Sequence, residues 1–388
     1  MIIELLFWIS LFFIFYGMVG YPLTLMIIDK FYIKEEIQKK PTKTNNRFVS
    51  IIIPAHNEEQ VISEKLENLI NINYPIELFE IIISSDNSTD KTNTIVQKFI
   101  DEHQKYNIKL YNVKKRQGKT NAQNEAVERA NGEILIFSDA NAILDTNSVL
   151  YLVSSFNDDK TIYISGKLKY VNDQNNISSK TESSYWNCDL YMRKIESKLG
   201  NITAGNGALY AIKKSNYVFL DPIKCHDLNM PLYAGINNKK ALYNEFAIAY
   251  EKAGETTEDE FKRKVRMFRG ILNSLFETPE KYNIFQNGWF SFFYFGHRTL
   301  RYSLFINHFL LLASNIVIFN SSFIYKITLI GQIIFYSIST IGKLTKSKNK
   351  LLYFPYYYSM TIVAQLVGAY NQLAGKSKPF WEKAESTR

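Results

Sequence analysis

Several stretches of the chain carry side chains that could do chemistry together. The apolar run Ile134 to Phe137 ends abruptly in Ser138-Asp139-Ala140-Asn141. A buried strand of this kind delivers a carboxylate to its exposed end, where Asp139 is a natural oxygen ligand for a divalent cation on a diphosphate. Asn141 offers a neutral, weaker amide oxygen, or a hold on a metal-bound water or a ribose. Taken alone, an Asp-x-Asn triplet is far more often a turn. Asp86 follows three isoleucines in "IIISSDNSTD" and is placed to meet a ligand such as a nucleobase. Nearby, Asp90 reads equally as a helix cap. In "RQGKTNAQNEA", Arg116 and Lys119 surround Gly118 ahead of a helix. The glycine permits close approach and the helix start favours anions, although a plain helix start has the same pattern.

The elements that must position these groups alternate. Val49 to Ile53 is a β-branched run stopped by Pro54, which predicts a buried strand feeding the loop that holds Asn57 and Glu58. Val61, Ile62, Leu66, Leu69 and Ile70 then follow at helical spacing. "FEIIISSDNSTDKT" repeats the strand, loop and helix order, "IKLYNV" is a third strand, and "EILIFSDAN" is a fourth after a helix closed by Gly132. Such alternation predicts a doubly wound, mostly parallel sheet covered on both faces. Ligands of such sheets sit beyond the carboxyl ends of the strands, and Asn57-Glu58, Asp86 and Asp139 all fall there.

The 388 residues are 46% hydrophobic and 15% aromatic, enough for one large core or two smaller ones. A net charge of +9 fits nucleic acid, an anionic membrane surface or an anionic substrate. Tyr and Phe crowd the last hundred residues or so among long apolar runs, which favours a lipid bilayer and argues against nucleic acid. Cys188 and Cys225 form no disulfide framework or zinc pattern. The first 28 residues are apolar for longer than a signal-peptide core and lack a cleavage site, so residues 1–30 are expected to be a retained transmembrane helix. "LFINHFLLLASNIVIF" and "YKITLIGQIIFYSISTI" predict a helical hairpin; "YYYSMTIVAQLVGAY" is a shorter third run that spans or re-enters. "YNIFQNGWFSFFYFGHRTLR" has the composition of a helix lying in the interface. Basic flanks at "KKPTKTNNR" and "GKLTKSKNK" place the middle zone on the cytoplasmic side and the N-terminus outside. A full third span would put the basic tail, 376–388, on the outer side, against that rule. Abundant Lys, Asn and Ile suggest an AT-rich bacterial genome, hence a bacterial inner membrane.

The combination is more specific than its parts. "VSIIIPAHNEE", "DNSTD", "RQGKTNAQNEA" and "FSDAN", in that order, resemble the family 2 glycosyltransferases, from about Val49 to about Leu275. The resemblance implies the nucleotide-sugar-binding GT-A fold over 47–275, an α/β domain with membrane helices before it and over 283–375. The flanking helices match the membrane-bound branch, which includes the cellulose, hyaluronan and poly-N-acetylglucosamine synthases. By position, it implies that Ala55, Asn57 and Glu58 form the first nucleotide-contact loop, Asp86 contacts the uracil, and Lys119 helps hold the nucleotide. Asp139 becomes the first residue of the Asp-x-Asp metal motif for Mg²⁺ or Mn²⁺, with Asn141 a departure from it. Gly205, Asn206 and Gly207 in "NGALYAIKKS" resemble the start of the segment lining the acceptor site. Asp227 in "HDL" takes the place of the catalytic base in the family's Thr-Glu-Asp segment, and His226 replaces the acid before it. An inverting transfer needs one carboxylate to take the acceptor hydroxyl proton. In "EDEFKRKVRMFRG", Arg263 and Arg266 line up with the Gln and Arg of the Gln-x-x-Arg-Trp motif, where they would stabilise the leaving diphosphate. Met267 takes the Trp position at the acceptor end.

The leading expectation is a membrane-bound inverting hexosyltransferase that takes a UDP-sugar and serves a glycan or lipid-linked acceptor, with possible export or synthase-complex partners. A non-catalytic nucleotide-binding subunit of such a complex is the alternative, motivated by Asn141 and Met267. A transporter is a poor third, because no charged residue lies deep in a span.

Overall fold

A computed structural model of the chain describes residues 1–32, 47–171, 177–252, 257–346 and 349–380, without the side chains of 177–187. The basic linker after the first apolar segment, part of the basic loop near 347 and the end of the tail lie outside the described residues.

Among the described residues, eight strands form one sheet: β1 Val49–Ala55, β2 Phe79–Ser85, β3 Ile108–Asn112, β4 Ile134–Ser138, β5 Ile143–Leu144, β6 Thr161–Tyr170, β7 Leu209–Lys213 and β8 Lys240–Glu251. Their order is β3-β2-β1-β4-β7-β6-β8-β5. The first four are parallel, in the register Ile51↔Ile81 and Ile51↔Ile136. Beyond β4 the sheet is mixed. β7 runs antiparallel to both β4 and β6, β6 and β8 are parallel, and β5 closes the edge antiparallel to β8. The expected parallel sheet is therefore the N-terminal half, and the second half curls away from it.

The central strands read as unbroken apolar runs because both faces are covered; every residue of β1, β2 and β4 is buried. Period-two alternation divides them. Ile51, Ile53, Ile81, Ile83 and Ile136 face a core that includes Ile62, Leu66 and Leu69 of the helix Ile62–Ile70. Ile52, Ile82, Leu135 and Phe137 face the other core, with Ala126 of the helix Lys119–Arg129 and Met230 of the helix His226–Ile236. Each fully buried isoleucine contributes about 1.5–3 kcal/mol, so register is strongly fixed: a one-residue slip would exchange the two faces.

Among the described residues, two helices are long and apolar enough to cross a membrane, Ile2–Phe31 and Phe323–Thr345; a third candidate is the pair Trp289–Tyr302 and Leu304–Ile318, bent by 62°. The aromatic segment before that bend turns its basic residues inward. His297 bonds Asp189 at 2.8 Å and Glu196 at 2.6 Å, Arg298 donates to Thr203 at 3.0 Å, and Arg301 is buried beside them. Tyr21, from the N-terminal helix, donates to Glu196 at 2.8 Å. The last helix, Lys350–Leu373, packs along the helices Thr257–Met267 and Ile271–Phe276. Tyr357 donates to Glu260 at 3.1 Å, and the Gln372 side chain accepts from the Leu272 amide at 3.0 Å. This packing returns the start of the tail to the sheet domain.

Candidate active site

The chain order reverses at β1, which has β2 on one side and β4 on the other. The carboxyl ends of these three strands therefore lie side by side, and each carries one of the expected groups.

Lys119, at the start of its helix, forms an ion pair with Asp139 and donates to the Gly207 carbonyl at 3.1 Å. A methyl group on Gly207 would sit 2.9 Å from the Lys119 ammonium and 3.8 Å from one oxygen each of Asp139 and Asp227. Two carboxylates and an ammonium, from three separate elements, thus face one small space. Burial alone would lower the Lys119 pKa; the charge and hydrogen bond of Asp139, backed by Asp227 and Glu251, raise it overall. The ammonium therefore stays charged. Asp227 sits in the first turn of His226–Ile236, and its carbonyl accepts from the Gly205 amide at 2.7 Å. Beside it, Cys225 bonds the Asp227 carboxylate; burial first, and then that charge, push the thiol pKa up.

The loops at the ends of β1 and β2 are knitted together. Asn57 has φ +55°, and its side chain accepts from the Thr89 amide at 2.8 Å. The Glu58 amide lies 2.7 Å from the Thr92 hydroxyl, and the Ala55 carbonyl accepts from the Asp86 amide at 2.7 Å. The buried Asp86 carboxylate accepts from the Gln117 amide at 3.0 Å and the Gly118 amide at 2.8 Å. These bonds shape the Arg116–Lys119 loop, which the sequence does not reveal. Gly118 has φ +94°, and a side chain there would strike the Pro379 carbonyl. The tail thus lies on this loop, with the Arg116 guanidinium 4.7 Å from the centre of the Phe380 ring.

Other expected site residues are placed elsewhere. His226 is 1% exposed, stacks on Tyr217, and contacts Gln123 at 3.2 Å and the Val218 carbonyl at 3.1 Å. Burial lowers its pKa to about 4. Its ring thus fills the core behind the helix, away from the expected acceptor. Asn206 is buried and braces its own turn, accepting from the Ala208 and Leu209 amides at 3.1 Å. Gly205 is required by the buried Tyr163 ring beneath it, since a Cβ would lie 1.9 Å from the Tyr163 hydroxyl. Of that glycine-rich segment, Gly207 faces the crevice. Arg263 is held by buried Glu260 at 2.7 and 2.9 Å, with its outer nitrogen toward the exposed Met267. Arg266 lies half-buried on the same helix.

The arginine brought beside Asp227 is Arg269, three residues on. Burial lowers its pKa, while the neighbouring Cys225 and Asp227 side chains oppose that shift. It donates to the Pro379 carbonyl at 2.9 Å. Lys65 and Glu251 are further charged groups near Asp139 and Lys119 that sequence reasoning missed. Lys65 left a signal: it sits on the apolar stripe of its helix, three residues after Ile62 and four before Leu69.

Among the described residues, no group of three or more His, Cys, Asp or Glu side chains could hold a metal by itself. Asp139 is about a third exposed, 31% by its side chain, and Asn141 is half-buried. One carboxylate and one amide are hard oxygen donors that fit Mg²⁺ or Mn²⁺ as a cation drawing most of its ligands from phosphate and water.

Residues 50–216 match the family model described as glycosyl transferase family 2. The chain is 28% identical over 263 residues to a probable glycosyltransferase, YdaM, of Bacillus subtilis, covering 64% of this chain and 62% of that protein. It is 32% identical over 162 residues to a beta-monoglucosyldiacylglycerol synthase of a Nostoc species, covering 41% of this chain and 35% of that one. It therefore spans less than two thirds of the length of either relative. The solved mannosyltransferase PcManGT of Pyrobaculum calidifontis, in complex with GDP-Man and Mn²⁺, superposes with a TM-score of 0.72 at 17% identity, over 96% of this chain and 99% of that one. That likeness establishes the architecture. The strand-end motifs, the half-parallel sheet and these matches agree: this chain carries a glycosyl transferase family 2 domain on a GT-A-like fold.

Proposed function

We propose that the chain is a membrane-bound inverting glycosyltransferase that moves a hexose from a UDP-sugar to a hydroxyl of a glycan or lipid-linked acceptor, in surface polysaccharide synthesis. The observation that carries this reading is the convergence on Gly207 of Lys119 and Asp139, within the span 50–216 that matches family 2, and of Asp227, just beyond it.

In this reading Asp227 takes the proton of the acceptor hydroxyl while that oxygen bonds the anomeric carbon. The bond from that carbon to the diphosphate breaks in the same step, and the nucleoside diphosphate leaves with its electron pair. Asp227 suits the base role because one of its carboxylate oxygens faces the space above Gly207, with the weak thiol of Cys225 bonded to the carboxylate. Lys119 and Arg269 supply positive charge to the departing diphosphate; Arg269 replaces Arg263 here, because Glu260 holds Arg263 away. Asp139 and Asn141 would hold a divalent cation, Mg²⁺ or Mn²⁺, which neutralises phosphate charge when bound. Asp86 and the Asn57–Glu58 loop shape the nucleoside end. The apolar helices support a membrane location, and the expected orientation has the sheet domain on the cytoplasmic side of a bacterial inner membrane. The Nostoc relative, named as a synthase of a glucosyl lipid, supports a lipid-linked acceptor.

The Asp139–Lys119 ion pair favours a second reading, since it occupies the one carboxylate of the triplet. In that reading the chain is a nucleotide-binding subunit without turnover. Purified protein in detergent, assayed for UDP release from a panel of UDP-sugars with Mg²⁺, Mn²⁺ or chelator, separates the two. Turnover of one preferred donor, lost in chelator, is expected. UDP binding with no turnover of any donor would establish the subunit reading instead.

A further inference from the structure

Lys65 is fully buried, on the helix stripe that it shares with buried Ile62, Leu66 and Leu69. A leucine or methionine would fill such a place without taking an ammonium out of water, which is costly unless the charge is well paired. The Lys65 ammonium donates to the Ser138 hydroxyl at 2.8 Å and to the Ala142 carbonyl. These two residues bracket the triplet Asp139-Ala140-Asn141. The Ser138 hydroxyl in turn donates to the Ala208 carbonyl at 2.8 Å, next to Gly207. The turn is closed by the Ala142 amide on the Asp139 carbonyl at 3.2 Å. One buried ammonium therefore ties both ends of the triplet to the segment that carries Gly207. The later part of the loop has a separate brace: Asn68, on the same helix, makes two bonds to the Leu144 backbone, at 2.9 and 2.8 Å.

We infer that Lys65 is a positioning residue of the donor site, whose buried amino group, by its two donated hydrogen bonds, holds the Asp139–Asn141 turn in the shape that a cation and a diphosphate require. The inference rests on the reading of Asp139 and Asn141 as the cation-holding pair. Where a triplet offers one carboxylate and one amide, affinity depends on both oxygens pointing at one spot, and a turn fixed at both ends provides that. Electrostatics alone predicts the opposite sign. Burial lowers the Lys65 pKa to about 7, against the opposing charges of Asp139 and Glu251, and to the extent that Lys65 is charged its removal would by charge alone strengthen cation binding.

The test uses full-length protein in detergent. Free Mn²⁺ is followed by its electron paramagnetic resonance signal during titration with and without UDP, and UDP affinity is measured in chelator. Lys65→Met should weaken UDP-dependent Mn²⁺ binding at least tenfold, while UDP affinity in chelator changes less than twofold. Ser138→Ala, which removes one anchor, should weaken it about threefold. Asn68→Ala, matched by its loss of thermal stability, should leave it unchanged. Unchanged or tighter Mn²⁺ binding by Lys65→Met would overturn the inference, as would an equal loss in Asn68→Ala. If Lys65→Met does not fold, Ser138→Ala against Asn68→Ala decides in the same way. Absence of UDP-dependent Mn²⁺ binding in the unaltered protein would defeat the site reading itself, and this inference with it.

Discussion

Gly207 and Gly205 are two residues apart, yet an alanine at each should fail in a different way. Neither has positive φ, so neither needs glycine for its backbone. At Gly207 the added methyl would meet the Lys119 ammonium at 2.9 Å, with Asp139 and Asp227 oxygens at 3.8 Å. The close atom is the far end of a flexible side chain and can shift by a few tenths of an ångström. Stability should therefore change by less than about 1 kcal/mol, as expected where nothing in the core is overpacked. The methyl nevertheless occupies the space on which the proposed reacting groups converge. A misplacement of about 1 Å costs roughly 100-fold in rate, or about 2.7 kcal/mol of transition-state stabilisation. At Gly205 the methyl would lie 1.9 Å from the hydroxyl of fully buried Tyr163. No flexible end is available there, and overpacking should cost about 1–3 kcal/mol or more. Initial rates of UDP release and thermal melts, measured on both variants, give the comparison. Gly207→Ala should lose transfer and keep its melting temperature, and Gly205→Ala should lose melting temperature first. Transfer by Gly207→Ala within twofold of the unaltered protein would refute the placement of the reaction above Gly207.

Arg269→Ala should cost transfer about 100-fold with little change in stability. Arg263→Ala should instead leave transfer per folded molecule intact and cost about 1–3 kcal/mol of stability, because buried Glu260 loses two hydrogen bonds but keeps Lys264 and Tyr357; rates and melts on both variants check this, and the reverse pattern would restore Arg263 to the site. His226 is held at a pKa of about 4 against an ordinary 6.5, chiefly by burial. Between those values the unfolded chain binds the proton and the folded chain does not, so stability falls as pH drops from 6.5 to 4, by about 3 kcal/mol at most. Melting curves across that window should flatten in His226→Gln; an unchanged slope would mean that other groups carry the acid sensitivity.

Much of the crevice could be read from the chain because it depends on local pattern. The run of Val49 to Ile53, the isoleucines before Asp86 and the stop after Phe137 each mark a strand end, and a parallel half-sheet brings those ends together. Residues set by distant packing were not legible in the same way. Arg263 and Arg266 lie on the helix Thr257–Met267, whereas Arg269 follows it in a turn that helical spacing does not place. That helix is itself held by Glu260 against Tyr357, nearly a hundred positions away. His226 is read toward the acceptor by its place before Asp227 in the segment resembling the family's, but successive helical residues diverge by about 100°, and the ring is buried against Tyr217 and Phe137. Asp86 was expected to meet a ligand, and its bonds to the Gln117 and Gly118 amides depend on a loop that no short motif describes. The antiparallel insertion of β7 likewise follows from pairing with β4 across more than seventy residues.

The central claim is that Asp227 is the base of a sugar transfer at this crevice. It is tested most directly by comparing the unaltered protein with Asp227→Asn, which keeps the size and shape of the side chain and removes its ability to take a proton. Both proteins would be measured for UDP binding and for turnover of the preferred UDP-sugar. The account predicts equal UDP affinity and a loss of turnover of about 10²–10⁴-fold in Asp227→Asn. Equal turnover in both proteins would contradict it.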